Sequence, residues 1–435
     1  MANDIVVVNV STQFAPTASN YQKLGNLVTQ GGTTLTAGTK QLITQISDLT
    51  PLLGNALQVT AAVWATGTVT VTTATPHGIS VGDTASWTMA GFIPTGYNGT
   101  FTVTSTTSTQ FTYALAVNPG TAATLGTTIN AEVAEVLSMV TTFFAQGNSN
   151  SVSVLELGEG TPADGVAALT TYMTGHPNDA YIYVVPRSWA SEPTYVPLVN
   201  QYSSNTAMTY FFTTFNANNA AQAAQFTGMK SFFGFVEDSS TPVTEFTVCS
   251  VAYNILNRSP SNVNKVPPTQ YMFLSGVTNG AWGSAQKAQW KTLNLNYVIK
   301  GSEGGLTNSI LMLGVLGSGI YYNFWYSTDW TIINIHLALA NEIINGSNSQ
   351  INPLYYNQSG INRLQARAQQ TLNSGISFGL ILAPAVVNAV DFVTYTTANP
   401  SDYAAGEYDG LSATVVPQNG FTRVVFNLAV TDLIG

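Results

Sequence analysis

Side chains able to do acid–base, nucleophilic or metal chemistry are few in this sequence, and their spacing assembles no site. Histidine occurs three times, at His77, His176 and His336, each alone and outside any HExxH or triad spacing. Pro76-His77-Gly78 and Gly175-His176-Pro177 are turn contexts in which the imidazole reads as solvated, while His336 reads as a hydrogen-bonded residue of an apolar helix. Asp164 with Asp179, or Glu156 with Glu159, would offer carboxylate pairs for proton transfer. At these separations they read as solvated turn residues. Gly158-Glu159-Gly160-Thr161-Pro162-Ala163-Asp164-Gly165 follows a strand pattern and opens a helix, the place of a phosphate cradle. It lacks the GxGxxG order, and the acid between its first two glycines repels phosphate. Gly314-Val315-Leu316-Gly317-Ser318-Gly319 has the spacing reversed, and neither GxSxG nor GxxxxGK[ST] occurs. Cys249, the single cysteine, permits no internal disulfide and no thiolate cluster. The expectation is a protein that is not an enzyme and uses no cofactor and no metal.

Composition points the same way. Charged residues are 8% of the 435-residue chain and hydrophobic ones 45%, where an average globular protein has roughly 25% charged residues. Disorder, which joins low hydrophobicity to high charge, is excluded. With 21 acids against 12 bases and a net charge of −9, no basic patch exists to release counterions, so nucleic acid is not an expected partner. Met1-Ala2-Asn3-Asp4 lacks a positive n-region, and the apolar run Ile5–Val8 is too short for a signal peptide. Residues 304–328 are uncharged, but glycines, Asn323 and hydroxyl groups interrupt them, so they read as a buried element rather than a membrane span. Bases are so rare that Lys287 with Lys291, and Arg363 with Arg367, stand out as pairs on one helical face, fit to dock an acidic partner.

The elements that position these residues change period along the chain. Thr68–Thr72, Gly99–Thr104 and Gln110–Leu115 alternate polar and apolar residues, with turn residues at Pro76-His77-Gly78, Gly82-Asp83 and Asn98-Gly99. They predict a small antiparallel β module inserted in a larger chain. Val133, Val136, Leu137, Val140 and Phe144 then fall at helical spacing over Glu132–Ala145. Strand and helix patterns alternate from there: Val152–Leu157, helix Pro162–Thr174, Ala180–Pro186, helix Thr194–Tyr202, Met208–Phe212, helix Ala217–Phe226, Ser231–Val236, helix Val243–Asn257. Such β–α–β units predict an α/β domain with a parallel sheet and helices on both faces. The last third predicts a largely apolar helix from Asp329, as N-cap, to Asn345-Gly346, and a second over Ile361–Asn373 stopped by Gly375. Strong strand patterns lie near both ends, at Ile5–Val10 and Thr422–Val430.

Several weak motifs in order carry a resemblance. Residues 269–278 (TQYMFLSGVT), Leu293-Asn294-Leu295-Asn296-Tyr297, Gly314 with Ser318-Gly319, and Asp329-Trp330 resemble the sheath proteins of contractile phage tails. More narrowly they are similar to a divergent myovirus group catalogued as a conserved phage protein of unknown function. Thr142-Phe143-Phe144-Ala145-Gln146, residues 152–158, and Pro353 through Gly360-Ile361 with Gly375 add to it. The resemblance covers residues 1–57 and 129–435. The segment with His77–Asp83 and Tyr97–Phe101 resembles instead a small β domain of phage virion proteins, a departure from a minimal sheath.

The resemblance implies a multidomain tail-sheath-like fold, α/β in its main domain and α+β overall. Residues 1–57 would be an N-terminal arm and part of the sheath core, and 58–126 an inserted sandwich- or barrel-like module. Residues 127–300 would be the α/β sheath domain, and 301–435 an inner, tube-facing domain with a C-terminal strand arm, this inner domain being built from both chain ends. It further implies a virion structural protein, assembled in the host cytoplasm. The subunit would polymerise as a helical homo-oligomer around the tail tube protein, meet baseplate and tail terminator proteins, and contract to drive the tube through the host envelope without itself inserting in a membrane. Ile5, Val6, Val7, Val8 and Val10, with Arg423, Val424, Val425, Phe426 and Leu428, would form inter-subunit strand arms, and Arg363 and Arg367 would face the tube. Elementary physics allows this: a terminal strand can complete a neighbour's sheet through main-chain hydrogen bonds. With no nucleotide motif, the work of contraction would come from two packings of one subunit. An alternative from another class is a virion adhesin that binds host carbohydrate through Trp64, Trp87 and Tyr97 of the β module.

Overall fold

The computed structural model describes residues 20–53, 57–74, 86–301 and 307–421. The proposed arms Ile5–Val10 and Thr422–Val430, and His77, lie outside the described residues. The chain first lays down β1 (Gly25–Thr29), β2 (Thr39–Ile43) and a short α1 (Ile46–Leu49). It then enters the inserted module: β3 (Leu57–Ala65), β4 (Thr68–Thr73), β5 (Ser86–Ala90), β6 (Gly99–Thr106), β7 (Gln110–Ala114) and β8 (Thr127–Asn130). These form a closed barrel in the order β3-β4-β7-β6-β5-β8. Alternation drives it inward, since Val69, Val71, Val103, Phe111 and Tyr113 fill the interior while the intervening threonines face out. Thr66 and Gly67, both at positive φ, make the two-residue turn that matches strand twist between β3 and β4.

After the barrel come α2 (Ala131–Phe144), β9 (Val152–Glu156), α3 (Pro162–Gly175), β10 (Ile182–Val184), α4 (Tyr195–Gln201), β11 (Tyr210–Asn216), β12 (Phe232–Glu237) and α5 (Val248–Leu256). The main sheet runs β12-β11-β10-β1-β9-β2, parallel throughout except for the antiparallel edge strand β2. Its middle strand, β1, comes from a segment whose sequence carries no strand pattern. Gly25-Asn26-Leu27-Val28-Thr29 holds only two aliphatics, yet every residue of it is buried. Leu27, Val154, Ile182, Phe212 and Phe233 point to a layer formed by α2 and α5, and Val28, Leu155, Tyr183, Phe211 and Phe232 to one formed by α3 and α4.

Two expected helices shorten. The 217–226 segment is a 3-10 helix over Ala220–Phe226, and the 243–257 segment becomes helical only at Val248. Asn219 accepts from the Asn216 amide and Asn216 from Asn219, a side-chain turn that competes with an α-helical start.

Strand β13 (Phe273–Leu274), α6 (Ser284–Thr292), β14 (Tyr297–Lys300) and β15 (Ser309–Met312) follow, the three strands forming an antiparallel sheet in the order β13-β15-β14. Buried Asn296 stitches it to the edge of β12, its amide donating to Gly234 O and Val315 O and accepting from Val315 N. The chain then builds α7 (Tyr322–Ser347), α8 (Gln358–Ser377), β16 (Val387–Ala389), α9 (Phe392–Ala398), α10 (Pro400–Ala405) and β17 (Leu411–Ala413), with β16 and β17 forming a two-stranded sheet of their own among the described residues.

Asp329 does not cap a helix, contrary to the sequence reading. Helix α7 starts seven residues earlier at Tyr322 and places Asp329 fully buried in its middle. The aromatic run Tyr322, Trp325, Tyr326 continues the helical stripe back onto the main sheet, and packing, not a cap, sets the start. Nor does Gly375 stop a helix. It lies inside α8, where a Cβ would come 3.2 Å from the Trp330 ring. Among the described residues no helix is long and apolar enough to cross a membrane.

Candidate functional site

An open α/β sheet presents ligands beyond the carboxyl ends of its strands, where strand order reverses. Here that point lies past β1, between β9 and β10, and the chain's own side chains fill it. Glu156 accepts from Gly31 N (2.6 Å), Gly158 N (2.7 Å), Thr33 N (3.0 Å) and Thr33 Oγ1 (2.8 Å). Trp189 Nε1 donates to Gln30 Oε1, and Gln30 Nε2 donates to Thr161 O. Thr161 and Asp164 close a capping box on α3, and those hydrogen bonds hold the Asp164 pKa low. Asp179 sits beyond the other end of that helix. Burial works against its ionisation, but Lys40, Asn26 and Tyr172 outweigh it and leave the pKa lowered. Asp164 and Asp179 thus lie at opposite ends of α3 and form no pair, while Glu156 is taken up by backbone amides and Glu159 is exposed. His176 stacks on Tyr172 with its Nδ1 2.9 Å from Tyr172 O, and His336 is half-buried on α7.

Next to this point, Arg187 Nη2 lies 3.0 Å from Glu237 and Nη1 3.5 Å from Glu135, with the guanidinium 4.0 Å over Phe246. Burial raises both glutamate pKa values and Arg187 opposes it. Glu245 in turn accepts from Thr278 N and Oγ1 and from Thr247 Oγ1. These groups fasten loops to one another.

A second ionic centre joins α7 to the sheet. Asp329 Oδ2 accepts from Tyr210 OH (2.7 Å) and Tyr181 OH (3.0 Å), and Oδ1 lies 3.5 Å from Lys230 Nζ. Lys230 also donates to Asn205 O and Ala207 O and sits 4.2 Å over Trp325. Burial raises the Asp329 pKa and lowers that of Lys230, and each opposes the shift of the other. No local sequence pattern could have found this pair, whose members are brought together only by tertiary packing.

The two basic pairs differ. Lys287 and Lys291 are exposed on α6. Arg363 is drawn into its own molecule: Nη2 is 2.6 Å from Glu342 Oε1, and Nη1 donates to Asn352 and Pro353 carbonyls. Arg367, one turn on, is exposed and donates to Gln370. Of the aromatics of the β module, Tyr97 is buried with its hydroxyl on Gly120 O, and Trp64 spends its indole N–H on Leu115 O. Exposed apolar residues cluster instead around the isolated pair β16–β17: Leu382, Val386, Val390, Val393 and Val416.

No known family profile matches the chain, and no curated protein matches it. Solved structures do. A chain of the anti-feeding prophage (AFP) baseplate in contracted state is similar over 100% of this chain and 98% of its own, at 12% identity and TM-score 0.50. The sheath tail protein of Listeria innocua matches over 94% of both chains at 9% identity and TM-score 0.46. That of Desulfitobacterium hafniense matches over 88% of this chain and 93% of its own, at 10% identity and TM-score 0.39. The first of these carries the conclusion: the chain, α/β in its main sheet with an inserted β barrel, has the fold of a chain of the contracted anti-feeding prophage baseplate.

Proposed function

We propose that the chain is a tail sheath subunit of a contractile phage tail, a structural virion protein assembled in the host cytoplasm. It polymerises helically around a tail tube and contracts to drive that tube through the host envelope. Its partners are further copies of itself, the tube protein, and baseplate and tail terminator proteins. The observation that carries this reading is the likeness along the whole chain, 100% of this one and 98% of the other, to a chain of an assembly captured in its contracted state. Supporting it, β16 and β17 pair over only three residues each, amid exposed apolar side chains. A two-stranded sheet of this size is marginal alone and offers edges for further strands. The strand patterns of residues 5–10 and 422–430 suit that role between neighbours.

Purified protein examined by negative-stain microscopy, alone and with tube protein, is expected to form rings or cylinders. A chain that stays monomeric at high concentration under both conditions contradicts the proposal. A second reading, a virion adhesin binding carbohydrate through the β module, has Trp64 half-buried at its surface and Tyr97 buried within the barrel; loss of cell binding on deleting residues 58–126 with assembly intact would favour it.

A further inference from the structure

Charge is segregated along this chain. Between Glu245 and Glu303 lie five bases, Arg258, Lys265, Lys287, Lys291 and Lys300, and no acid; between Arg367 and Arg423 lie four acids, Asp391, Asp402, Glu407 and Asp409, and no base. On a surface with so few charges, runs of one sign set the local field. Among the described residues no ion pair takes up any of these four acids, nor Lys287 or Lys291.

The basic face is one side of α6. Trp290, 1% exposed, packs edge-on to Trp282 with ring centroids 5.5 Å apart, which turns the helix so that Lys287 and Lys291 stand in solvent one turn apart. The acidic face is built around tyrosines. Tyr395 OH donates to Asp402 Oδ2 (2.8 Å) and accepts from Asp409 N (2.9 Å), while Glu407 N donates to Asp402 O and Tyr356 OH to Glu407 O. The rings of Tyr395 and Tyr408 lie 4.7 Å apart and those of Tyr356 and Tyr403 5.1 Å. Glu407, Asp409 and Tyr403 remain exposed, so carboxylates and aromatic rings, both attractive to an ammonium group, share one surface.

The two faces belong to opposite sides of the main sheet. Trp282 and Trp290 join α6 to the layer of α3 and α4, whereas Ala385, Val387 and Leu411 join β16 and β17 to the layer of α2 and α5. Contact between them takes a second copy. A contact between two different faces is head-to-tail, the kind that propagates into rings or helical arrays.

We propose that the Lys287–Lys291 face of α6 in one copy docks on the Glu407–Asp409 face of the next. The inference rests on the sheath reading for the polymer it serves. Exposed charge pairs stabilise little singly and chiefly steer encounter and fix register, and here the contact recurs at every copy.

Sedimentation of the full chain over a range of concentrations tests this, with folding followed by circular dichroism. Lys287→Glu with Lys291→Glu, and Glu407→Lys with Asp409→Lys, should each raise the concentration needed for self-association about tenfold. Added salt should weaken association of wild type, where opposite charges meet, and strengthen that of either pair variant, where like charges meet. The four substitutions together, or the two pair variants mixed, should restore association. Self-association unaltered by one or both pair variants, or lost in both and regained neither by mixing nor by the fourfold variant, overturns the proposal. So does wild-type association that salt leaves unchanged, a result that needs no variant to fold. If cylinders still form in any of these cases, the sheath reading stands without this contact; a wild type that stays monomeric alone and with tube protein overturns both.

Discussion

Asp329 and Lys230 hold opposite charges where water does not reach; tyrosine hydroxyls serve only Asp329 Oδ2, carbonyls serve Lys230, and Asp329 Oδ1 relies on the lysine charge 3.5 Å away. Removing one partner strands the other. Asp329→Asn or Lys230→Met alone should cost roughly 3–5 kcal/mol, whereas Lys230→Met with Asp329→Leu should recover much of it, as read by denaturant unfolding. At the exposed end of the scale, Thr44 and Gln45 donate to Asp48 and hold its pKa at about 2. The folded value lies below the unfolded one. The stability this carboxylate lends α1 is therefore complete above the ordinary carboxylate range and is lost as pH falls through about 2. Amide protection over residues 46–49, the intrinsic exchange rate divided by the observed one at each pH, should fall across that interval in wild type and stay level in Asp48→Asn. Residues of this kind were unequally legible. The Thr161–Asp164 cap lies within one turn and can be read from sequence, while Asp329 before Trp330 imitates a cap because its true partners, Tyr181, Tyr210 and Lys230, lie far back in the chain at the entry to the sheet strands β10, β11 and β12.

Helix α7 spans about 39 Å at 1.5 Å per residue, its first half on the main sheet and its second against α8. The turn between them depends on Gly360, where a Cβ would lie 2.0 Å from Tyr355 O, so Gly360→Ala should destabilise by about 1–3 kcal/mol in a thermal melt. The Arg363–Glu342 pair clamps the same hairpin. Arg363→Glu should bring two carboxylates together and lower stability by about 1–2 kcal/mol, while Arg367→Glu leaves the melt unchanged. If Arg367 faces the tube, that second substitution lowers particle yield instead. Periodicity made β4, β6 and β7 of the barrel visible because their side chains alternate between the barrel interior and its outside, and α2 because its fully buried residues recur at helical spacing. It missed β1, which is buried on both faces and too short to display any period, and it began α7 late because the helix's first turns are buried nearly all round with polar Asn323 and Ser327 among the aromatics, so no amphipathic stripe marks them.

At the level of the molecule, the barrel has its own interior, and the chain enters and leaves it on adjacent strands, with Gln58 paired to Thr127. Replacing residues 58–126 by a short linker should leave the rest folded, with far-UV circular dichroism losing only the barrel's share and assembly retained. Deleting residues 1–12 or 421–435 should do the reverse, giving a folded monomer, by sedimentation, that no longer forms cylinders. Sequence order alone suggested the domain succession; the crossing of the β1 segment into the middle of the later strands had no local sign. Closure of the barrel has a further consequence. Each of its strands finds two ladder partners within the ring, so none is a free edge along its whole length, and the unpaired stretches lie mainly in parts of β3 and β6. In a crowded lattice of identical copies, these threonine-rich strands, otherwise well suited to stick to one another, are removed from the competition for pairing.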